Sequence, residues 1–229
     1  MQRIRLLTWN LHGCVDRRGR FRPEEVAAVI EAIDADVVSL QEVDSRRERV
    51  GDIDVPGLLT RSAGPHAVFA ATINTDTGRY GHMLASRHPI ELDGIHELPQ
   101  IGDEPRKAIR ARVFTAVGEL DVVSTHLGFR RREQAAQIRA LADVAGVPAT
   151  PTVLMGDLNE RRGRGASFRS LRANFQSIPR HATFPSSLPI LPLDQIWFSG
   201  LTLAGSRVHR NARGLSDHLP LMAELAFTD

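Results

Sequence analysis

Eight polar residues at six places along the chain could together hold a hard divalent cation: Asn10, Glu42, His126, Asp157 with Asn159, Asp194, and Asp217 with His218. Three Asp, one Glu, two Asn and two His make an oxygen-rich set. Mg²⁺ favours such a set and typically keeps several waters beside one or two carboxylates. Zinc fits less well, because the histidines lack close ligand spacing and Cys14 is the one cysteine in the sequence. Taken singly, each residue also has an ordinary reading. Asn10 and Asn159 are turn formers, Asp217 a turn or cap residue, and His126 a satisfied histidine at a strand end. What sets them apart is repetition, since each follows or interrupts an apolar run.

The pattern is plainest at residues 152–160, T-V-L-M-G-D-L-N-E. Four apolar or β-branched residues suit a buried strand, which Gly156 breaks. A buried unpaired carboxylate is costly, so Asp157 belongs where the strand surfaces, with Asn159 two residues on and able to face the same way.

The elements that must position these groups follow in order. Residues 3–10 read as a strand ending in Trp9-Asn10, and 36–42 as a second buried strand ending in Gln41-Glu42. Between them, 23–34 is an amphipathic helix with Pro23 in its first turn, early Glu24 and Glu25, and Val26, Val29, Ile30 and Ile33 at helical spacing. Residues 43–65 read as a charged loop with a short helix near 58–62. Strands are expected at 66–73, 81–87, 88–98, 108–117 and 119–127, the last ending in His126. A helix over 131–144 and a short one near 167–174 follow, then an irregular Pro-rich stretch at 179–192. Strands at 193–198, with Asp194 near its start, 201–210 and 219–227 close the chain. About ten strands with few, separated helices imply an α/β fold, an α/β/β/α sandwich of two packed sheets with outer helices. No linker, repeat or low-complexity tract divides the sequence, so 1–229 is expected to be one domain.

Composition is that of an ordinary globular protein, with 42% hydrophobic and 24% charged residues. No apolar run reaches the ~18 residues that span a bilayer, and residues 1–10 lack the pattern of a signal peptide. A cytoplasmic location is the expectation. Of 29 Lys plus Arg only Lys107 is lysine, a bias that codon composition explains as well as phosphate binding does. Arginine clusters at 17–22, 46–49, 130–132 and 161–164 each follow a polar strand end and favour an anionic substrate.

Trp9-Asn10, Leu40-Gln41-Glu42, Thr125-His126-Leu127, Gly156-Asp157-Leu158-Asn159 and Ser216-Asp217-His218 occur in one order from Thr8 to Leu221. With G-H-M-L-A-S-R-H-P-I at 81–90, the sequence resembles the endonuclease/exonuclease/phosphatase superfamily of DNase I-like fold, as a small bacterial-type member. The resemblance implies a two-sheet sandwich and Mg²⁺-dependent hydrolysis of a phosphate ester, with Mn²⁺ able to substitute. It implies Glu42 as the main metal ligand, assisted by Asn10 and Asp217 directly or through water. Asp157 would orient or deprotonate the attacking water, and Asn159 would hold that water or the scissile phosphate. His126 and His218 would donate to phosphoryl oxygens, with Asp194 fixing the tautomer of His218. His82, Arg106 and Tyr80 are candidate substrate contacts, whereas His12, the other histidines and Cys14 receive no role.

Within the family, the T-H-L form at 125–127 stands apart from the Y-x-P-N-x-G of abasic-site enzymes and is closer to sphingomyelinase-like and tyrosyl-phosphodiesterase-like members. A phosphodiesterase is therefore expected. Its substrate is either nucleic acid, as for a nuclease or DNA-repair enzyme, or a phospholipid or other small phosphodiester. Substrate choice is expected to reside in 160–165 and 182–192. A catalytically dead binding module would have lost at least one of Glu42, Asp157, Asn159 or His218, and all four are present.

Overall fold

A computed structural model of the chain describes residues 2–161 and 168–227. Two six-stranded mixed sheets pack face to face, with the helices outside, as the α/β/β/α expectation requires. The first sheet runs in the order Leu201–Val208 (β11), Leu221–Phe227 (β12), Arg3–Asn10 (β1), Val37–Asp44 (β2), Gly78–Ser86 (β4), His66–Thr75 (β3). The second runs Ile90–Leu98 (β5), Arg106–Thr115 (β6), Gly118–His126 (β7), Thr152–Asp157 (β8), Asp194–Ser199 (β10), Gln176–Ser177 (β9). The described residues form twelve strands where about ten were expected, and the two-residue β9 is too short to leave a periodic signal.

Each sheet has one parallel pair at its centre, β1 with β2 and β7 with β8. Parallel neighbours need a crossover, and helices supply both. The first is α1 (Pro23–Ile33), which buries Val26, Ala27, Ile30 and Ile33 against its sheet and ends at Asp34 in the left-handed conformation. The second is α4 (Arg131–Ala145), which buries Ile138 and Leu141. Helices α2 (Arg47–Val50) and α3 (Val55–Ala63) organise the segment expected to be mostly loop, and Asp54 caps α3 by accepting the Gly57 N–H. Near 167–174 the structure describes a single turn, α5 (Arg169–Arg172). Among the described residues no helix is long and apolar enough to cross a membrane.

Strand alternation decides where the core ends and the polar groups begin. On the face that β1 turns to the other sheet, Ile4 and Leu6 belong to the inter-sheet core, and Thr8 and Asn10 continue the same row. In β2 the row is Val37, Ser39, Gln41, and in β7 it is Leu120, Val122, Ser124, His126. In β8 it is Val153, Met155, Asp157. The opposite faces carry Leu7, Trp9, Val38 and Leu40 beneath α1 and α3, and Val123, Leu154 and Trp197 beneath α4 and α5. The inter-sheet layer is thus apolar along most of its length and polar at one edge. Each large apolar side chain in it contributes about 1.5–3 kcal/mol by leaving water.

The polar part of the layer is bonded across the sheets. Ser39 Oγ and Ser124 Oγ lie 2.7 Å apart, Gln41 Nε2 donates to Ser39 Oγ at 2.8 Å, and His82 Nε2 meets the Ser124 carbonyl at 3.2 Å. Buried polar groups satisfied in this way fix the relative register of the two sheets.

Gly156 makes the approach of β7 to β8 possible. Its φ is +153°, and a Cβ there would sit 1.9 Å from the Thr125 carbonyl oxygen. Because His126 pairs with Asp157 one step further along, widening this gap would also disturb the site. Gly156→Ala is predicted to lower the free energy of unfolding by about 3 kcal/mol, measured by urea denaturation.

Candidate active site

The carboxyl ends of β1, β2, β7 and β8 lie at the same edge of the sandwich, and the antiparallel strands β10 and β12 begin there. Ends of parallel strands are where open sheets gather functional groups. Asn10 closes β1, His126 closes β7, Asp157 closes β8, Asp194 opens β10, and Asp217-His218 lie just ahead of β12, separated from it by Leu219 and Pro220.

Asp157 occupies the middle and is 1% exposed. Its Oδ2 accepts from Asn10 Nδ2 at 3.0 Å, and its Oδ1 accepts the Asn159 backbone N–H at 2.9 Å. Asn159 reaches that position through a left-handed φ of +54°, which Asn tolerates. The Nε2 atoms of His126 and His218 stand 3.6 and 3.7 Å from Asp157 Oδ2. Burial holds the Asp157 carboxyl above the usual carboxylate range, reinforced by Asp194 and opposed by His218 and the two asparagines.

Behind His218 lies a carboxylate. Asp194 Oδ2 is 2.8 Å from His218 Nδ1 and accepts from Thr183 Oγ1 at 2.5 Å, while Asp194 Oδ1 has no hydrogen-bond partner among the described residues. Burial disfavours the imidazolium of His218, but Asp194 and then Asp157 outweigh it and raise the pKa. The backbone here is fixed as well. Trp9 Nε1 donates to the His218 carbonyl at 3.1 Å, and Ser216 Oγ donates to the Asn10 carbonyl at 2.7 Å while accepting the His218 N–H at 3.1 Å. Trp9, fully buried, therefore also holds the site together.

Glu42 breaks the alternation of β2. The pairing with β4 runs Leu40 to Met83 and then Val43 to Gly81, so one extra residue bulges out of β2. Glu42 takes a φ of +56°, unusual outside glycine, and its carboxylate turns toward Asn10, whose Nδ2 donates to Oε1 at 2.9 Å. Burial pushes Glu42 up, but the adjoining His12, His126 and Asn10 bring it down to about 2, so it is a carboxylate at neutral pH. The side chain of Asp217 is partly exposed at the same opening.

His12 is the residue that sequence reasoning passed over. Its Nδ1 lies 3.7 Å from Glu42 Oε2 and 3.8 Å from Asp217 Oδ2, and these carboxylates raise its pKa, Glu42 foremost and against burial. A 3-10 turn, His12–Cys14, with left-handed φ at all three residues, places it there. Its position two residues past a polar strand end was the available signal. Thr183 and Ser216 gave less, since serine and threonine near turns are common. Cys14 is buried with its thiol pushed up to about 12 by burial, which suits no nucleophile.

The three candidate substrate contacts separate. Tyr80 lines a cavity of about 630 Å³ with Glu42, His12, Phe21, Arg46 and Glu104. His82 lies beneath the site, 1% exposed, and burial pushes its pKa down to about 4. Its Nε2 is turned to the Ser124 carbonyl between the sheets, the place of a packing residue. Arg106 is 7% exposed, with Nη1 at 2.9 Å from His126 Nδ1 and Nη2 at 3.0 Å from Glu104. The arginine clusters are engaged nearby: Arg20 with Asp16, Arg22 with Glu25, Arg46 with Asp44, Arg47 with Asp52. Arg162, Arg164 and most of the 160–165 stretch expected to choose substrate lie outside the described residues.

Two groups could take a cation. Ligand atoms of Asp157, Asp194 and His218 lie within 4.8 Å of one another. Their order is linear, however, with Asp194 on Nδ1 and Asp157 toward Nε2 of one ring, so a shared cation would have to break the 2.8 Å hydrogen bond. Glu42 and Asp217, with Asn10 beside them, offer oxygen donors at the opening and fit a hard cation better. Thr183→Val, which takes a partner from a buried carboxylate, is predicted to cost about 2 kcal/mol of stability, measured by urea denaturation.

Comparisons with known proteins bear on the fold and the family. A crystal structure of an endonuclease/exonuclease/phosphatase from Beutenbergia cavernae superposes with a TM-score of 0.80 at 23% identity, covering 99% of this chain and 72% of that one. Humanised D. rerio TDP2 carrying 14 mutations gives 0.73 at 16% identity over 97% and 98% of the two chains. The human Nocturnin catalytic domain with a bound sulfate anion gives 0.69 at 18% over 99% and 95%. These likenesses establish the fold, and no curated protein matches the sequence. The model of the Endonuclease/Exonuclease/phosphatase family matches residues 7–218, from before Asn10 to His218, and the chain belongs to that family.

Proposed function

We propose that the chain is a divalent-cation-dependent phosphoesterase, most specifically a phosphodiesterase in which water attacks phosphorus in line. The observation that carries this reading is the buried Asp157 carboxylate with an imidazole Nε2 at 3.6 Å on one side and 3.7 Å on the other. Neither separation is a hydrogen bond, so both imidazoles can turn to a phosphoryl oxygen held beside Asp157.

Glu42 and Asp217 would hold the cation, with Asn10 beside them, Mg²⁺ first and Mn²⁺ as a substitute. When bound, the cation supplies positive charge against the phosphoryl oxygens as negative charge builds there. Asp157 takes the proton of the attacking water, and the burial that raises its pKa makes it a stronger base. Asn10 and the Asn159 backbone bond its two oxygens and fix the carboxylate in one orientation. His218, kept protonated by Asp194, donates from Nε2 to the phosphoryl group, and His126 donates from the other side. Asn159 can approach the phosphate because its amide carries no charge to repel it.

A small phosphodiester, such as a phospholipid headgroup, suits the opening better than nucleic acid. Beside Glu42 the cavity carries three further carboxylates, Asp44, Glu48 and Glu104, against the two arginines Arg46 and Arg49, and Arg46 is paired with Asp44, a balance that disfavours a polyanion.

Hydrolysis of bis-p-nitrophenyl phosphate tests the reaction. Activity is expected with Mg²⁺ or Mn²⁺ and to vanish with EDTA. Asp157→Asn and His218→Ala should each lower kcat/KM by about 10²–10⁴; activity that survives both substitutions would refute the assignment. Glu42→Gln should raise the metal concentration needed for half-maximal rate about tenfold or more, titrated with Mn²⁺. On the true substrate KM should vary little with salt, whereas a steep dependence would identify a nucleic-acid backbone instead.

A further inference from the structure

We propose that Arg106 is a positioning residue that fixes His126 as the neutral tautomer with its proton on Nε2, making it a donor toward the reacting phosphate. The role of the donor rests on the phosphoesterase reading above; the tautomer does not.

A guanidinium has five N–H donors and no acceptor, and it stays charged at any pH a folded protein meets. At 2.9 Å from Arg106 Nη1, His126 Nδ1 must therefore be the acceptor. A neutral imidazole with a lone pair on Nδ1 carries its hydrogen on Nε2. Full protonation is opposed as well, since burial first and the Arg106 charge second push the His126 pKa well below its ordinary value.

The carboxylate on the other side of the ring fits the same assignment, since Asp157 Oδ2 lies 3.6 Å from His126 Nε2 and favours a hydrogen there over a lone pair. Asn159 Nδ2 is 3.4 Å from His126 Nε2 and donates to the Leu127 carbonyl at 2.8 Å. With a hydrogen on Nε2, the two nitrogens do not bond to each other. They are two donors facing one place, and an anionic oxygen can accept from both. The alternative tautomer would press an N–H against the guanidinium and aim a lone pair at the phosphoryl oxygens. Arg106 thus decides whether His126 attracts or repels the group that accumulates charge.

Arg106 is itself held. Glu104 Oε2 lies 3.0 Å from its Nη2, and Thr72 Oγ1 lies 3.4 Å from Glu104 Oε1. Bonded at both terminal nitrogens, to His126 Nδ1 and to Glu104 Oε2, Arg106 acts through His126.

The test is ¹⁵N NMR of the full chain with labelled histidine at pH 7.5, with and without Mn²⁺-free Mg²⁺, the His126 signals assigned by their loss in His126→Asn. Wild type is expected to show His126 as a single neutral species protonated at Nε2. Arg106→Met should show both tautomers, and kcat on bis-p-nitrophenyl phosphate should fall about 10–100-fold with KM nearly unchanged. Glu104→Gln, which leaves the arginine in place, should give a smaller shift in the same direction. An Nδ1-protonated or imidazolium ring in wild type would overturn the proposal, and this spectrum decides the matter even if Arg106→Met does not fold. A fall in kcat with the Nε2–H tautomer unchanged in Arg106→Met would overturn it too. If wild type hydrolyses no phosphodiester but His126 is the Nε2–H form, the tautomer assignment stands and the phosphoesterase reading fails.

Discussion

Burying the carboxylate of Asp157 between two sheets is the constraint on which the rest of the site depends. A carboxylate at 1% exposure loses nearly all its hydration, a cost that a protein bears only where partners replace the water. Here the partners come from both sheets: Asn10 from β1, Asn159 after β8, and the imidazoles of His126 and His218. Remove the inter-sheet packing and these donors disperse, since no two neighbouring elements bring more than part of the set. The polar layer of Ser39, Ser124, Gln41 and His82 directly beneath holds the sheets in the register that the carboxylate requires.

The fold solves this by geometry as much as by chemistry. Alternation along a strand keeps every second residue on one face, so a row that begins with Ile4 and Leu6 ends with Thr8 and Asn10, and a row that begins with Val122 ends with Ser124 and His126. Two parallel pairs finish at the same edge, and their antiparallel neighbours start there. A hydrophobic core therefore grades into a polar cleft with no separate structure built to carry the site. Glu42 is the exception. It leaves its row through a bulge and a left-handed φ, strain of the kind that surrounding structure must impose and that functional positions often hold.

Much of this was legible in the sequence because it depends on period-2 patterning. Apolar runs ending in Asn10, His126 and Asp157 marked both the strands and the polar edge, and β1 begins and ends where the pattern says. Tertiary approach is what one-dimensional pattern does not carry. His12 seemed an idle turn residue because nothing local says that Glu42 and Asp217 flank it. The bond of His82 to β7 is equally invisible among its neighbours in sequence. The arginine clusters favoured an anionic substrate, and their acidic partners such as Asp16 and Asp44 are recognised only once the loops are folded. The α2–α3 segment was underestimated for a related reason, since its helices draw their stability from packing Val50, Val55 and Leu59 on the sheet more than from local propensity.

The electrostatic layout of the site follows from which charges are buried and which are open. At the closed end, Asp194 and His218 make a pair with its negative partner innermost, so the positive imidazole faces the cleft. On the far side of Asp157, His126 has a cation behind it where His218 has an anion. The two histidines are therefore chemically unlike although both direct Nε2 at the same carboxylate oxygen: one is driven toward the charged form and the other is kept neutral. Two imidazolium rings beside one another would repel, and two neutral rings would offer less to a phosphoryl group gaining charge. Opposite charges behind the two rings give one charged donor and one neutral donor, and leave Asp157 as the group able to accept a proton. At the open end the Glu42 carboxylate stays ionised and Asp217 stands partly exposed beside it, the condition a hard cation needs to enter and keep part of its water.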